Sequence, residues 1–295
     1  MHRHRRDWVL LVALAVIWGT SFAANRVAVG VFTPGTVVWG RLGIAAVLLL
    51  ALARGAGLSM PRGRGVWLHL ALLAVVGNAL PFFLISWGQQ RIDSGLAGVL
   101  MAVMPLATML LAHVFVEGER LHRRGLTGFL LGFVGIVALV GPEALSGIGD
   151  GRTAVVAQIA VLGGALCYAA NTIFARHLAP MHILVSSAST LAIAAAIMTP
   201  VGISGIWAQP VWDPVGLANV VWLGVFSTAL ATVIYFRIVT TAGPTFLSLI
   251  NYLIPVIAVV VGVVALAETP EPRMLVALVV ILLGVGLSQR GEPSA

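Results

Sequence analysis

Gly77-Asn78-Ala79-Leu80 returns later in the chain as Ser227-Thr228-Ala229-Leu230, at a separation of 227 − 77 = 150 residues. The same separation, to within one residue, relates three further pairs: Arg26 to Arg176, Pro105 to Pro255, and Gly135 to Gly284. We interpret the chain as two copies of one unit, predicted at residues 8–141 and 153–288.

The composition places both copies in a membrane. Hydrophobic residues make up 60% of the chain, charged residues 9%, and the mean hydropathy is +1.05. Soluble proteins carry about 25% charged residues, so we predict an integral membrane protein that is surrounded by a lipid bilayer. Cys167 is the single cysteine of the sequence, which excludes an intramolecular disulfide and a metal cluster built from thiols.

Each copy contains five apolar stretches, bounded by Gly, Pro or Arg, that approach the roughly 20 residues of a membrane-spanning helix. The predicted spans are 8–27, 34–53, 66–88, 94–115, 124–141, 153–175, 182–202, 215–239, 245–267 and 273–287. Because five is odd, the second copy enters the bilayer upside down relative to the first. The predicted fold is therefore all-α, with ten transmembrane helices as two inverted five-helix repeats, an arrangement that recurs in secondary transporters.

Arginine supplies all 17 basic residues apart from histidine, and its distribution predicts the orientation. With the N-terminus inside, twelve arginines fall on the cytoplasmic side, four fall on the outer side, and Arg41 lies within a span. Cytoplasmic loops are enriched in positive residues, so we predict that both termini are cytoplasmic. These charges flank apolar spans and accompany no nucleic-acid module, so we expect no nucleic-acid partner.

The basic N-terminus and the apolar run that follows it imitate a secretory signal. The run has a counterpart around Tyr168 in mid-chain, which predicts that it is a retained first span.

Polar and aromatic residues share helical faces in four of the predicted spans. In the ninth span, Ser248, Asn251, Tyr252 and Pro255 are spaced at i, i+3, i+4 and i+7, which is one face of a helix. The matching face of the fourth span carries Gly98, Met101, Ala102 and Pro105, and the third and eighth spans match Asn78 and Phe82 with Thr228 and Thr232. Each face predicts either a lined cavity or a surface for packing between helices.

Several motifs, weak one by one, occur in order along both copies. They are Trp18-Gly19-Thr20-Ser21-Phe22, Arg41, Met104-Pro105, Gly118-Glu119-Arg120-Leu121, Ser227-Thr228-Ala229-Leu230, Asn251-Tyr252-Leu253-Ile254-Pro255 and Ala267-Glu268. Together they resemble the EamA type of the drug/metabolite transporter superfamily over about residues 8–288. The resemblance implies no prosthetic group and a central cavity built mainly from spans one, three, four, six, eight and nine. It also implies export of metabolites such as amino acids from bacteria, and hence a place in the bacterial inner membrane.

From these faces and from the resemblance, we expect a small-molecule solute to contact thirteen residues of a central cavity. The predicted lining residues are Trp18, Asn78, Phe82, Met101, Pro105, Tyr168, Asn171, Thr228, Thr232, Ser248, Asn251, Tyr252 and Pro255. The Trp18 indole N–H needs an acceptor in the bilayer, for which we considered cavity water, the solute, or a neighbouring helix.

Two titratable residues within the spans are candidates for charge recognition or energy coupling. Arg41 is a costly cation inside a span, and it either binds a substrate carboxylate or snorkels to the outer surface. His113 is a candidate by residue type, because histidine is the usual side chain for proton transfer in proteins, although it lies near the cytoplasmic end of its span. The ten acidic residues all fall in loops or at span ends, so we predict flux down the substrate gradient without obligatory proton exchange.

The sequence also bears on competing functions and on assembly. It contains no His-Glu-x-x-His, no Gly-x-Ser-x-Gly and no pair of aspartates within a span, so an intramembrane enzyme is disfavoured. A receptor or scaffold would not explain an inverted duplication. A channel or a broad exporter of hydrophobic drugs is the alternative within transport. Glycines of the fifth and tenth spans predict either packing between the halves or the face of a homodimer.

Overall fold

The computed structural model describes residues 5–116, 123–140, 151–178, 180–208 and 213–289. Within these ranges the regular secondary structure is helical, and no residue forms a strand. The motif Gly118-Glu119-Arg120-Leu121 and most of the predicted joint between the copies, Pro142–Arg152, lie outside the described residues. The all-α prediction is confirmed for the part of the chain that is described.

The helices follow the predicted spans closely. They are α1 (Arg5–Val31), α2 (Pro34–Gly55), α3 (Arg64–Gly88), α4 (Ser94–Phe115), α5 (Arg123–Val140), α6 (Gly151–Ala175), α7 (Ile183–Ala208), α8 (Pro214–Ala242), α9 (Ile250–Leu266) and α10 (Pro272–Gln289). Seven of them, α1–α4 and α6–α8, are long and apolar enough to cross a membrane, and α5, α9 and α10 contain shorter apolar stretches. The prediction that all ten helices cross the membrane stays a prediction.

Two of the long helices contain a π-helical segment at equivalent places in the two copies. Val75–Ala79 interrupts α3, and Leu223–Leu230 interrupts α8. Such segments are rare and concentrate at functional sites. In each, a polar side chain bonds the carbonyl five residues earlier: Asn78 Nδ2 to Leu73 O at 3.5 Å, and Thr228 Oγ1 to Leu223 O at 2.9 Å. The repeat therefore preserves a local irregularity of the backbone as well as a sequence motif.

Helices α4 and α9 are also irregular. A turn at residues 102–103 divides α4 into Ser94–Met101 and Met104–Phe115. A single helical turn, Pro244–Leu247, leads into α9. Pro105 follows the break in α4 directly, in keeping with the missing amide hydrogen of proline, whereas Pro255 lies inside α9.

Equivalent helices of the two copies pack against each other and run antiparallel. At the start of α2, Thr36 Oγ1 donates to Gly202 O near the end of α7 at 3.1 Å. Further along α2, Trp39 Nε1 donates to Thr199 Oγ1 at 3.1 Å, so α2 ascends as α7 descends. The same relation holds for α5 and α10.

The glycines of α5 and α10 allow those two helices to approach closely. A Cβ on Gly284 would lie 2.6 Å from Gly128 O and 2.8 Å from Gly132 N. Gly135 faces Ile281 and the carbonyl of Ala277. Of the two predicted roles for these glycines, packing between the halves is the one that the described residues show.

Candidate functional site

Arg41 joins three helices near the middle of the bundle. Its side chain lies on α2 and is only 9% exposed. Its Nε donates to Thr228 Oγ1 of α8 at 2.8 Å. Its Cζ lies 3.8 Å from the ring centroid of Phe82 of α3, a cation–π contact. The guanidinium is thus held inside the protein, which argues against the predicted alternative of snorkelling to the surface.

The cation of Arg41 is only partly compensated by its neighbours. Within the described residues it forms no ion pair with a carboxylate, and its two Nη groups donate to no side chain or carbonyl. A guanidinium presents five donors in a planar fork that matches a carboxylate. This arrangement can accept an anionic carboxylate group from a ligand.

The acceptor of Arg41 belongs to the π-helix of α8. Thr228 is buried, and its Oγ1 both accepts from Arg41 and donates to Leu223 O. One turn later, Thr232 Oγ1 donates to Thr228 O at 2.6 Å. The hydroxyl and carbonyl of Thr228 are therefore both fixed, and the hydroxyl orients the guanidinium.

Trp18 of α1 docks on the same π-helix. Its Nε1 donates to Ser227 O at 3.2 Å, and its ring centroid lies 6.0 Å from that of Tyr235. The acceptor of the indole is therefore the backbone of a neighbouring helix rather than water or solute. Trp18 is half-buried beside these contacts.

Tyr168 and Asn171 of α6 lie against α3. The Tyr168 and Phe82 rings meet edge to face at 6.3 Å between centroids. A Cβ on Gly77 of the first π-helix would collide with the Asn171 amide. Helix α6 thus lies beside the π-helix of α3, as α1 lies beside that of α8, and Arg41 joins the two groups through Thr228 and Phe82.

The predicted residues of α4 and of the segment around α9 pack on a cluster that Tyr168 also contacts. Met101 and Tyr252 pack on one hydrophobic cluster that includes residues of α3, α4, α6, α9 and α10. Pro255 is buried, whereas Pro105, Ser248 and Asn251 are half-buried. A Cβ on Gly98 would collide with Ala258 of α9, so this position of the α4 face serves packing.

His113 lies away from the central residues. It occupies the last turn of α4 and is exposed.

Two segments of the chain, residues 7–141 and 155–289, match the sequence model of the EamA-like transporter family. The chain belongs to that family. The resemblance seen in the motifs is confirmed, and EamA-like relatives are transporters rather than enzymes.

Three curated relatives show the range of the EamA-like family. A chloroplastic WAT1-related protein of Arabidopsis thaliana is 27% identical over 95% of this chain and 69% of its own length. A probable terminal-alkyne amino-acid exporter of Streptantibioticus cattleyicolor is 27% identical over 96% of this chain and 93% of its length. The uncharacterized inner membrane transporter YedA of Escherichia coli K12 is 26% identical over 96% of this chain and 90% of its own length.

A solved crystal structure has the same fold. It aligns over 99% of this chain and 100% of its own length with a TM-score of 0.68 and 22% identity. At that identity the likeness concerns the fold alone.

A buried polar network, which sequence reasoning missed, ties α1 of this EamA-like chain to the end of α3. Asn25 Nδ2 donates to Gln89 Oε1 at 2.7 Å, and Ser86 Oγ donates to Asn25 Oδ1 at 2.9 Å. Gln89 Nε2 donates to Phe22 O at 2.9 Å, and Arg26 Nη1 donates to Gln89 O at 2.6 Å. Gln89 is completely buried with its amide satisfied, so the network fixes the first half at this end.

A second missed feature is the cap of α4. Glu268, in the segment after α9, accepts from the amides of Ser94 at 2.7 Å and Gly95 at 3.0 Å. A carboxylate at a helix N-terminus satisfies free amides and interacts favourably with the helix dipole. The sequence analysis assigned every acidic residue, Glu268 included, to a loop or a span end, but gave no indication that Glu268 would cap a helix of the other half.

Proposed function

We propose that this EamA-like protein is a secondary transporter that exports small metabolites, most of all amino acids, by alternating access through a central cavity. In this proposal the cavity lies between two inverted halves in a bacterial inner membrane, and both termini are cytoplasmic. The observation that carries the proposal is the buried guanidinium of Arg41, held by Thr228 and Phe82 with its Nη groups uncommitted.

Arg41 would recognise the carboxylate of the transported solute. A cation inside a membrane protein is costly without a counter-charge, and a solute carboxylate supplies that charge through a bidentate hydrogen bond. The Phe82 ring lies against the guanidinium, and the Tyr168 ring packs edge to face on Phe82. A solute with one carboxylate and an apolar side chain complements these groups.

Alternating access requires two halves that exchange roles. The antiparallel packing of α2 on α7, the matched π-helices of α3 and α8, and the matched docking of α1 and α6 on them all support an inverted pair. Trp18 of α1 bonds the carbonyl next to Thr228, and Tyr168 of α6 contacts Phe82. A movement of α1 or α6 would therefore displace one of the two residues that hold Arg41.

We propose that flux follows the substrate gradient without obligatory proton exchange. No acidic side chain of the described residues pairs with Arg41, and His113 lies exposed in the last turn of α4. A proton-coupled carrier needs a titratable group that the substrate and the proton share. Among the described central residues, Arg41 is a charged side chain without a carboxylate partner.

The test is counterflow in proteoliposomes that contain the purified protein. A panel of labelled neutral amino acids is compared with the methyl ester and the amide of one of them, which lack the carboxylate. We expect saturable counterflow of the amino acids, strongly reduced for the ester and the amide. Equal flux of lipophilic cations would instead support a drug exporter, and flux without saturation would support a channel. Uphill accumulation driven by an imposed pH gradient would contradict the uncoupled mechanism.

A further inference from the structure

Helices α4 and α9 belong to different halves and pack closely at the end of the bundle where α4 begins and α9 ends. A Cβ on Gly95 of α4 would lie only 3.3 Å from Val259 Cα of α9. Helix α9 packs along Ser94–Met101, the first part of α4, whereas Met104–Phe115 packs mainly on α6. The two halves are therefore closed against each other at this end, which is the outer end in the proposed orientation.

Glu268 of the second half fastens this contact. Its Oε1 accepts from Ser94 N at 2.7 Å and its Oε2 accepts from Gly95 N at 3.0 Å, so both oxygens bond the first turn of α4. The preceding residue, Ala267, ends α9 in the left-handed conformation with a φ of 53°, which is uncommon for a residue with a Cβ. A Cβ on Gly262 would collide with the Glu268 carboxylate. The turn after α9 and the surface of α9 thus direct this carboxylate at the other half.

Asp93 is a second carboxylate placed for the same helix end. It occupies the N-cap position of α4 in the extended conformation that is usual for a capping residue. An aspartate there ordinarily accepts from the amide of the second or third helical residue, and the second residue of α4 is Gly95. The Asp93 side chain makes no such bond, and Glu268 holds the Gly95 amide instead. One helix N-terminus therefore has two carboxylates available, one from each half.

The closed contact also leaves a buried hydroxyl without a partner. Ser94 is completely buried, and its Oγ forms no hydrogen bond within the described residues. A buried donor without an acceptor costs free energy. This hydroxyl lies 3.0 Å from the Cβ position of Gly262, so a separation of α9 from α4 would open it to water. The two hydrogen bonds of Glu268 are thus offset in part, which suits a contact that opens and closes.

We infer that Glu268 and Asp93 exchange as the cap of α4 when this end of the bundle opens. In the closed state Glu268 holds the amides of Ser94 and Gly95, and in the open state Asp93 accepts from the Gly95 amide. The helix N-terminus keeps a carboxylate partner in both states, so less free energy is needed to open the contact. Only the use of this opening for transport rests on the proposed function, whereas the exchange of caps does not.

The test is a distance measurement by pulsed EPR on the purified full-length protein in a lipid bilayer. Spin labels are attached through Gln90→Cys and Thr269→Cys in a chain that also carries Cys167→Ala. Gln90 and Thr269 are exposed and lie close in sequence to Asp93 and Glu268, one in each half. A short distance between the labels reports the closed state and a longer distance reports the open state. The closed-to-open ratio is the quantity compared between variants.

Glu268→Gln should lower the closed-to-open ratio about tenfold, as expected when one charge-assisted hydrogen bond is weakened. Glu271→Gln is the matched control, because Glu271 is exposed and its carboxylate pairs with Arg273. This control should keep the ratio of the parent protein. An unchanged ratio in Glu268→Gln would overturn the inference.

Asp93→Asn and Asp93→Ala separate capping from charge. Both substitutions remove the repulsion between Asp93 and Glu268, but asparagine caps a helix as well as aspartate does, and alanine does not. We expect the closed-to-open ratio to be about fivefold higher in Asp93→Ala than in Asp93→Asn, the usual effect of losing a cap. Equal ratios in these two variants, or a single short distance in every variant, would contradict the exchange. If Glu268→Gln does not fold, this comparison decides.

Counterflow measured on the same variants without spin labels distinguishes this inference from the proposed function. Ratios that shift as expected, without amino-acid counterflow in the wild-type protein, would refute the proposed function and leave the exchange of caps standing. Amino-acid counterflow together with unchanged ratios would refute the exchange and leave the proposed function standing.

Discussion

Arg41 Nε lies 2.8 Å from Thr228 Oγ1, and this hydrogen bond crosses from the first half of the chain to the π-helix of the second. The side chain of Arg41 brings a charge into a region where few other groups are ionised. The partner is a hydroxyl rather than a carboxylate, so the charge is oriented but not neutralised.

Arg41→Leu should lower amino-acid counterflow about 10- to 100-fold, the range expected for losing a charge-assisted hydrogen bond to the substrate. Arg41→Lys should retain part of the flux, because it keeps the charge and loses the planar fork. Arg54→Gln, at the exposed end of the same helix, is the matched control. Initial rates in proteoliposomes provide the measurement, and wild-type flux in Arg41→Leu would exclude a binding role.

Thr228→Val should slow transport and destabilise the fold by about 1–3 kcal/mol, because it leaves the Arg41 Nε–H without its acceptor. Thr228→Ser keeps the hydroxyl and should restore most of both properties. Thermal unfolding in detergent and counterflow are measured on the same preparations. Identical behaviour of the Val and Ser variants would contradict the importance of the hydroxyl.

Gly284→Ala should lower the free energy of unfolding by about 1–3 kcal/mol, the usual cost of overpacking. The added methyl group would meet backbone atoms of Gly128 and Gly132, which have little room to move. Gly286→Ala is the control, since its nearest neighbour is Tyr252 Oη at 3.8 Å, an ordinary contact. Alanine is also the better helix former, so this variant should be neutral or more stable. Equal melting temperatures of the Gly284→Ala and Gly286→Ala variants would contradict close packing of α5 on α10.

Gln89→Leu should destabilise the protein by about 2 kcal/mol, because Asn25 and the carbonyl of Phe22 lose their partners within a buried network. Gln90→Leu changes the adjacent exposed residue and should have little effect. The comparison is made by chemical denaturation. A cost for both substitutions would point to a loop effect and not to the network.

Burial, and then the nearby Glu268, raises the pKa of Asp93 above its ordinary 3.8. Arg26 acts in the opposite direction, and Glu271 adds to the rise. A raised pKa means that the protonated form suits the fold, so this stabilisation is present below pH 3.8 and is lost as the pH rises through the folded-state pKa. Asp93→Asn should therefore raise the melting temperature at neutral pH, and this gain should vanish at pH values below 3.8. A gain in melting temperature that does not change with pH would contradict a raised pKa of Asp93.

The helices could be predicted because long apolar runs and glycine or proline boundaries determine them locally. The π-helical segments could not, since Val75–Ala79 and Leu223–Leu230 have the same apolar character as an α-helix. The i→i+5 hydrogen bonding of a π-helix, one residue wider than that of an α-helix, depends here on tertiary contacts such as those of Trp18 and Asn171. The available signal was that Thr228 of the second copy matches Asn78 of the first. It marked both segments as significant, but it did not indicate that their backbone would be π-helical.

The candidate site was predictable as a set of residue types and not as a set of contacts. Arg41 was recognisable because charge within a span is rare, whereas its pairing with Thr228 depends on how α2 packs on α8. Gly98 shared a helical face with Met101, but only the structure shows Ala258 against it. The link from Gln89 to Asn25 joins a residue directly after α3 to a residue within α1, and neither residue type carries a pairing signal in the sequence.

The hydrophobic core of each half is completed by the other. The cluster around Leu100 and Ala165 also takes in Ile281 of the last helix, and another joins Leu42 to Leu191. During synthesis the first five helices therefore leave the ribosome with apolar faces that have no protein to cover them until the helices of the second half are made. A chain cut between the copies should accumulate as a stable protein only when both fragments are produced in the same cell.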